Sequence, residues 1–203
     1  MKTIAENIEN RIEVKKSLFV CRLFPVKSRT KAKEIIKTIS TRYNDATHNC
    51  TAFIVNEAES FDDDDEPGGT AGKPMLNVLR QNGLKNVLVI VSRYFGGIKL
   101  GAGGLVRAYS KSVQETIDIS NTVNLYLYQI CELSFDYSNL KFVTNEIRRN
   151  DLKVLKKDFD EGVHFQVAIK NDNQNFEGLK SKLGDSLDVK FLREEYLNPD
   201  RLV

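Results

Sequence analysis

Apolar and polar positions along this chain switch between two periods, and the switches mark its elements. Ser17-Leu-Phe-Val-Cys-Arg-Leu-Phe24 is dense in aromatic and β-branched residues and predicts a strand. Beyond Pro25, Ala32, Ile35, Ile36, Ile39 and Tyr43 keep helical spacing while Lys31, Lys33 and Lys37 fall elsewhere on the wheel. That is an amphipathic helix with a basic outer side. Thr47 to Val55 predicts the next strand, and residues 57–72, acidic and bearing Gly and Pro, read as a surface loop. A short helix is expected where Pro74 and Gly83 bracket Met75, Leu76 and Leu79. Asn86-Val-Leu-Val-Ile-Val-Ser92 is continuously apolar, as a central strand covered on both faces would be. A Gly-rich run from Arg93 to Gly104 follows, and then Leu105, Tyr109, Val113 and Ile117 restore the helical period.

The polar stretch Ser120-Asn-Thr-Val-Asn124 breaks that period and separates an expected domain over 1–122 from one over 123–203. The second half predicts a strand region from Leu125 to Tyr137, then a helix capped by Ser138 that carries Leu140, Val143 and Ile147. Two strands, Leu152 to Phe159 and Val163 to Ile169, are joined by the hairpin signal Asp160-Glu-Gly162. Phe176, Leu179 and Leu183 make a helix ending at Gly184, and Leu187, Val189 and Phe191 alternate in a last strand. The order βαββαβ predicts a ferredoxin-like α+β sandwich.

Charge changes the picture. The 203 residues carry 30 Lys+Arg and 28 Asp+Glu, a formal net of +2, which excludes a uniformly basic nucleic-acid binder. The distribution is segregated, however. Residues 56–66 hold seven acids and no base, whereas residues 67–114 hold seven bases, no acid and nine of the 12 glycines. The first ten residues have no apolar core of a secretory signal, and the longest apolar run, Val87 to Val91, is far short of the ~20 residues a bilayer span needs. Three widely spaced cysteines, Cys21, Cys50 and Cys131, argue against a disulfide framework. A soluble cytoplasmic protein is expected, with no membrane association.

The strongest chemical candidate is the strand, Gly-rich loop and helix from Asn86 to Ile117. Glycines allow backbone N–H groups to converge on a ligand, and the helix N-terminus adds a positive end. Arg93, Lys99 and Arg107 supply charge with no nearby carboxylate in sequence. This is an anion site for phosphate, nucleotide or nucleic-acid backbone, or else a set of glycines that only permit tight turns. Neither the Walker A pattern nor the dinucleotide fingerprint fits. Tyr94 and Phe95 could form a stacking platform or be core aromatics at a strand end. Asp62 to Glu66 reads as a solvated acidic loop, as a cation site failing the EF-hand template, or as a shield over the basic segment. His48 and Cys50, two apart on one strand face, could pair as a nucleophile, but no zinc set accompanies them.

Three blocks carry a resemblance: His48-Asn-Cys-Thr-Ala52, Asp64-Asp-Glu-Pro-Gly-Gly-Thr-Ala-Gly-Lys-Pro74, and Arg93-Tyr-Phe-Gly-Gly-Ile-Lys-Leu-Gly-Ala-Gly-Gly-Leu-Val-Arg-Ala-Tyr109. With these the chain resembles the IMPACT family, in its two-domain, YigZ-like bacterial form. The resemblance implies a first domain like the second domain of ribosomal protein S5, and a ferredoxin-like second domain similar to the last domain of elongation factor G. Eukaryotic relatives regulate translation during amino-acid starvation, using an additional RWD module, so that role is not carried over directly. The family's usual Asp-Asp-Gly-Glu-Pro-Ser/Ala-Gly is altered here, with Asp65 for the first Gly and Gly68 for Ser/Ala.

The expectation is a translation-associated regulatory protein, with no catalysis, cofactor or metal, that binds RNA or the ribosome. Arg93, Lys99 and Arg107 would neutralise phosphates, the Gly101, Gly103 and Gly104 backbone would approach closely, and Lys73 and Thr70 would line the adjacent loop. The alternatives are a metal-dependent, nucleotide-binding phosphate enzyme drawing on Asp62 to Glu66, a hydrolase using His48 and Cys50, and a module docking a protein partner on its C-terminal sheet.

Overall fold

The computed structural model describes residues 1–150, 152–170 and 176–199. The chain divides into two units, 1–124 and 125–203. The first holds β1 (Lys2–Ile4), β2 (Ile8–Val14), β3 (Ser17–Pro25), α1 (Arg29–Arg42), β4 (His48–Val55), β5 (Ala58–Asp62), α2 (Gly72–Gln81), β6 (Val87–Tyr94), α3 (Ala102–Asp118) and β7 (Thr122–Asn124). Five strands form an antiparallel sheet in the order β2-β3-β6-β4-β5, and β1 pairs with β7 in a separate ribbon. That pairing keeps Thr122 to Asn124 with the first unit, two residues beyond the expected boundary.

Alternation sorts the sheet's two faces. Phe53, Val55, Leu88 and Ile90 pack with Ala32 and Ile39 of α1. Their neighbours Ala52, Ile54, Val87, Val89 and Val91 pack instead with Met75 and Leu79 of α2 and with Leu105, Tyr109 and Val113 of α3. The central strand β6 is therefore buried on both sides, which is why its sequence is continuously apolar.

Three local expectations are corrected. Residues 58–62 are not loop but β5, paired with β4 from Val55↔Ala58 to Thr51↔Asp62. α2 begins at Gly72, two residues before Pro74, because Asp63 caps it from a distance. Ser138 does not cap the helix of the second unit. It lies in a 3₁₀ turn, Tyr137–Asn139, which leads directly into that helix.

The second unit runs β8 (Tyr126–Phe135), α4 (Leu140–Arg149), β9 (Lys153–Phe159), β10 (Val163–Lys170), α5 (Glu177–Leu183) and β11 (Leu187–Leu197). Its antiparallel sheet has the order β11-β8-β10-β9, with Val143 and Ile147 of α4 and Leu179 of α5 in its core. The order is the βαββαβ read from the sequence. Gly162 donates its N–H to Asp160 Oδ1 in the β9–β10 turn, and Gly184 closes α5 at φ 51.

Candidate nucleic-acid interface

The acidic segment after β5 folds inward at two positions. Asp63 accepts backbone N–H bonds from Gly69, Ala71 and Gly72, at 2.7, 3.0 and 2.7 Å, and so satisfies the start of α2 with a charge that suits its dipole. Glu66, with a side chain only 2% exposed, accepts from Arg93 Nη1 at 2.6 Å and from Tyr109 Oη at 2.8 Å. His48 lies at the edge of this cluster, with Nδ1 2.6 Å from the Asp64 carbonyl and Nε2 3.9 Å from Glu66. Cys50 donates its thiol to the Asp63 carbonyl at 3.0 Å and lies 3.2 Å from Tyr109 Oη. β6 and α3 are thus tied to the loop through one carboxylate, and β4 through the loop's own carbonyls. Only Asp62, Asp64 and Asp65 of the five acids are exposed.

Beyond β6 the chain turns sharply. Gly96 sits so close to the β2–β3 hairpin that a Cβ there would lie 1.9 Å from the Lys16 carbonyl oxygen. That contact brings Lys15 and Lys16, both exposed, beside the Gly-rich loop. Gly101, at φ 71, is the N-cap of α3 and offers no side chain to the N–H groups of its first turn, which contains no acid either. Lys99 and Arg107 are exposed and have no ion-pair partner among the described residues. Arg107 folds back over that turn, with Nη1 3.6 Å from where a Cβ on Gly103 would be. Phe95 is 48% exposed, with the Arg93 guanidinium 5.6 Å from its ring centre. An exposed ring and free cations around an uncapped helix start can stack a base and hold phosphates.

The Impact N-terminal domain family model matches residues 15–117, the stretch that builds both the Glu66 cluster and this loop. The chain belongs to the IMPACT family. It is 40% identical to IMPACT family member YvyE of Bacillus subtilis over 176 residues, covering 85% of this chain and 81% of that one. It is 33% identical to IMPACT family member YigZ of Escherichia coli over 162 residues, covering 77% of this chain and 79% of that one. A solved structure described only as a hypothetical protein superposes with a TM-score of 0.67 at 29% identity, covering 95% of this chain and 97% of that one.

In this IMPACT-family chain the residues singled out from sequence separate into two groups. Lys99, Arg107 and Lys73 are exposed at the loop, at α3 and at the start of α2. Gly101, Gly103 and Gly104 lie at the N-terminal turn of α3. Arg93 is different, being 5% exposed and already neutralised by Glu66. It holds the cluster together and sits behind Phe95 rather than presenting its charge to a ligand. Thr70 is also buried, donating its hydroxyl to the Pro67 carbonyl at 2.6 Å, so it shapes its turn and lines no open loop. Of the two aromatics only Phe95 is an open face, since Tyr94 is half-buried and donates to Asp45. Lys15 and Lys16 were not visible as site residues, because only the Gly96 contact brings them here.

The same geometry bears on the alternatives. The acidic segment is not a freely solvated loop, because Asp63 and Glu66 are internal. The carboxylates most enclosed by protein are therefore committed to backbone and Arg93, and not open as metal ligands. Burial pushes the Cys50 thiol well above its ordinary range, with Glu66, Asp64 and Asp63 adding to the effect. Burial also pushes Cys21 up to about 12. Neither is a thiolate near neutrality, and so neither is a ready nucleophile. Native protein treated with a thiol reagent at pH 7 and pH 9 is expected to leave Cys21 and Cys50 unmodified, whereas unfolding in urea exposes both. Rapid native modification of Cys50 would restore the hydrolase reading. No helix among the described residues is long and apolar enough to cross a membrane.

Proposed function

We propose that this protein is a translation-associated regulator that binds RNA, free or within the ribosome, at the Gly-rich end of its first unit, without turnover. The supporting observation is that Lys99 and Arg107, both exposed, flank the uncapped first turn of α3, with Phe95 open on the same loop and the exposed Lys15–Lys16 turn packed against that loop at Gly96. Cations hold phosphates through counterion release and carry no base preference of their own. Phe95 adds a stacking surface, which favours single-stranded segments over duplex at this site. The translation context comes from the family resemblance, whose eukaryotic members regulate translation.

Binding of a single-stranded RNA across a salt series tests the reading. Lys99→Ala combined with Arg107→Ala should weaken binding and reduce the salt slope by about 1.4, two phosphate contacts at ~0.7 each. Phe95→Ala should weaken binding by about 1–3 kcal/mol and leave the slope unchanged. No RNA affinity at low salt, together with tight Mg²⁺-dependent nucleotide binding, would replace this reading with the phosphate enzyme.

A further inference from the structure

Helix α1 carries a second cationic surface, on the face of the sheet opposite the Gly-rich loop. Arg29, Lys33 and Lys37 follow one another at i, i+4 and i+8, a little over one turn and so about 6 Å apart along the axis. All three are exposed, and none has an ion-pair partner among the described residues. The single acid of the helix, Glu34, is engaged by Lys31 at 3.1 Å. Like charges at this spacing repel, and Arg29 and Lys31 in the first turn also oppose the helix dipole, which that turn leaves without any acid. Folding alone gains nothing from such a row. A polyanion removes both penalties when it binds.

We propose that α1 docks the phosphate backbone of double-stranded RNA, as a contact separate from the Gly-rich loop. Three features select this partner. The exposed positions of α1 are Lys, Arg, Thr and Glu, with no large apolar side chain to enter a bilayer. They include no aromatic on which a single-stranded base could stack, and no apolar anchor of the kind that centres a protein interface. What remains is a row of cations running along the helix, which matches the regular phosphates along a duplex and carries no sequence preference. α1 packs on Phe53, Val55, Leu88 and Ile90, whereas α3 packs on Val87, Val89 and Val91, so the two contacts occupy opposite faces of one sheet. A folded RNA can then be held by a duplex segment on one side and a single-stranded segment on the other.

The test uses the full chain with Arg29→Gln, Lys33→Gln and Lys37→Gln together, against a blunt RNA duplex and an unstructured RNA of equal length. Duplex affinity should fall at least about tenfold at low salt, and the salt slope should fall by at most about 2.7, three contacts at ~0.9 each. Single-strand binding should change little, and thermal stability should be unchanged or raised. A charge-matched control, Lys141→Gln with Lys182→Gln and Lys190→Gln, should lose much less duplex affinity. Unchanged duplex binding, or an equal loss in the control, overturns the proposal. So does a variant that loses only its binding to vesicles of anionic phospholipid. Lys99→Ala with Arg107→Ala should show the reverse pattern, so the two sites fail independently.

Discussion

Glu66→Ala is expected to destabilise the first unit by roughly 3–5 kcal/mol, the usual penalty for stranding one partner of a buried ion pair. Arg93 would keep its charge at 5% exposure with no carboxylate to meet it, and Tyr109 would lose the acceptor of its hydroxyl. Arg93 Nε already lacks a partner, so the guanidinium has little left to fall back on. Against a typical domain stability of ~5–15 kcal/mol this is a large fraction of the whole. The measurement is the urea midpoint, with an unchanged m-value showing that the folded state keeps its extent. Glu66→Gln, which retains an acceptor but removes the charge, should fall between wild type and Glu66→Ala. Glu66→Leu combined with Arg93→Met should recover much of the loss, because it removes both buried charges together. If Glu66→Ala unfolds at the wild-type midpoint, the pair contributes nothing and the loop is not anchored through it.

Gly96→Ala is expected to cost about 3 kcal/mol, an effect at the upper end of overpacking. The new methyl would lie 1.9 Å from the Lys16 carbonyl oxygen and 2.5 Å from the Ser17 nitrogen, and both are backbone atoms that no side-chain rotation can move aside. Either the β2–β3 turn or the end of β6 must shift, although Leu18 pairs with Tyr94 one step away. Gly97→Ala is the comparison. Gly97 has φ 83 and nothing within 4 Å of an added Cβ, so only backbone strain of about 1–2 kcal/mol is at stake. Gly96→Ala should also weaken single-stranded RNA binding beyond what its stability loss explains, because it displaces the Lys15–Lys16 turn from the Gly-rich loop. Equal effects at the two glycines would mean that the loop reshapes freely and the hairpin contact does not matter.

Much of the architecture was legible because burial imposes periods on the sequence. β6 reads as a central strand because both its faces are covered, and α3 reads as a helix because Leu105, Tyr109, Val113 and Ile117 repeat on its buried side. The second unit was readable almost throughout, its helices and strands each keeping one period between clear turn signals. β5 was missed for a physical reason. It is an edge strand with an ordinary exposed outer side and four exposed residues, so its composition is that of a loop. The β2–β3 turn was missed for another. Lys15 and Lys16 adopt φ 47 and 62, a conformation that Asn-Gly would have announced and Lys-Lys does not.

The sequence by itself determined two α+β units, the Gly-rich loop at the mouth of α3 and the separation of an acidic segment from a basic one. Those follow from local periodicity and from composition, which act over a few residues. Which charges are free was decided only by the tertiary structure. Arg93 and Glu66 are 27 residues apart and meet inside the fold, whereas Lys15 and Lys16 reach the loop only because Gly96 allows the hairpin to touch it. A charge's neighbours in space set whether it is neutralised or available, and sequence distance carries no record of them. The apparent opposition of an acidic loop to a basic segment thus resolves into one buried pair, a capped helix, and a set of exposed cations left on either side of the sheet.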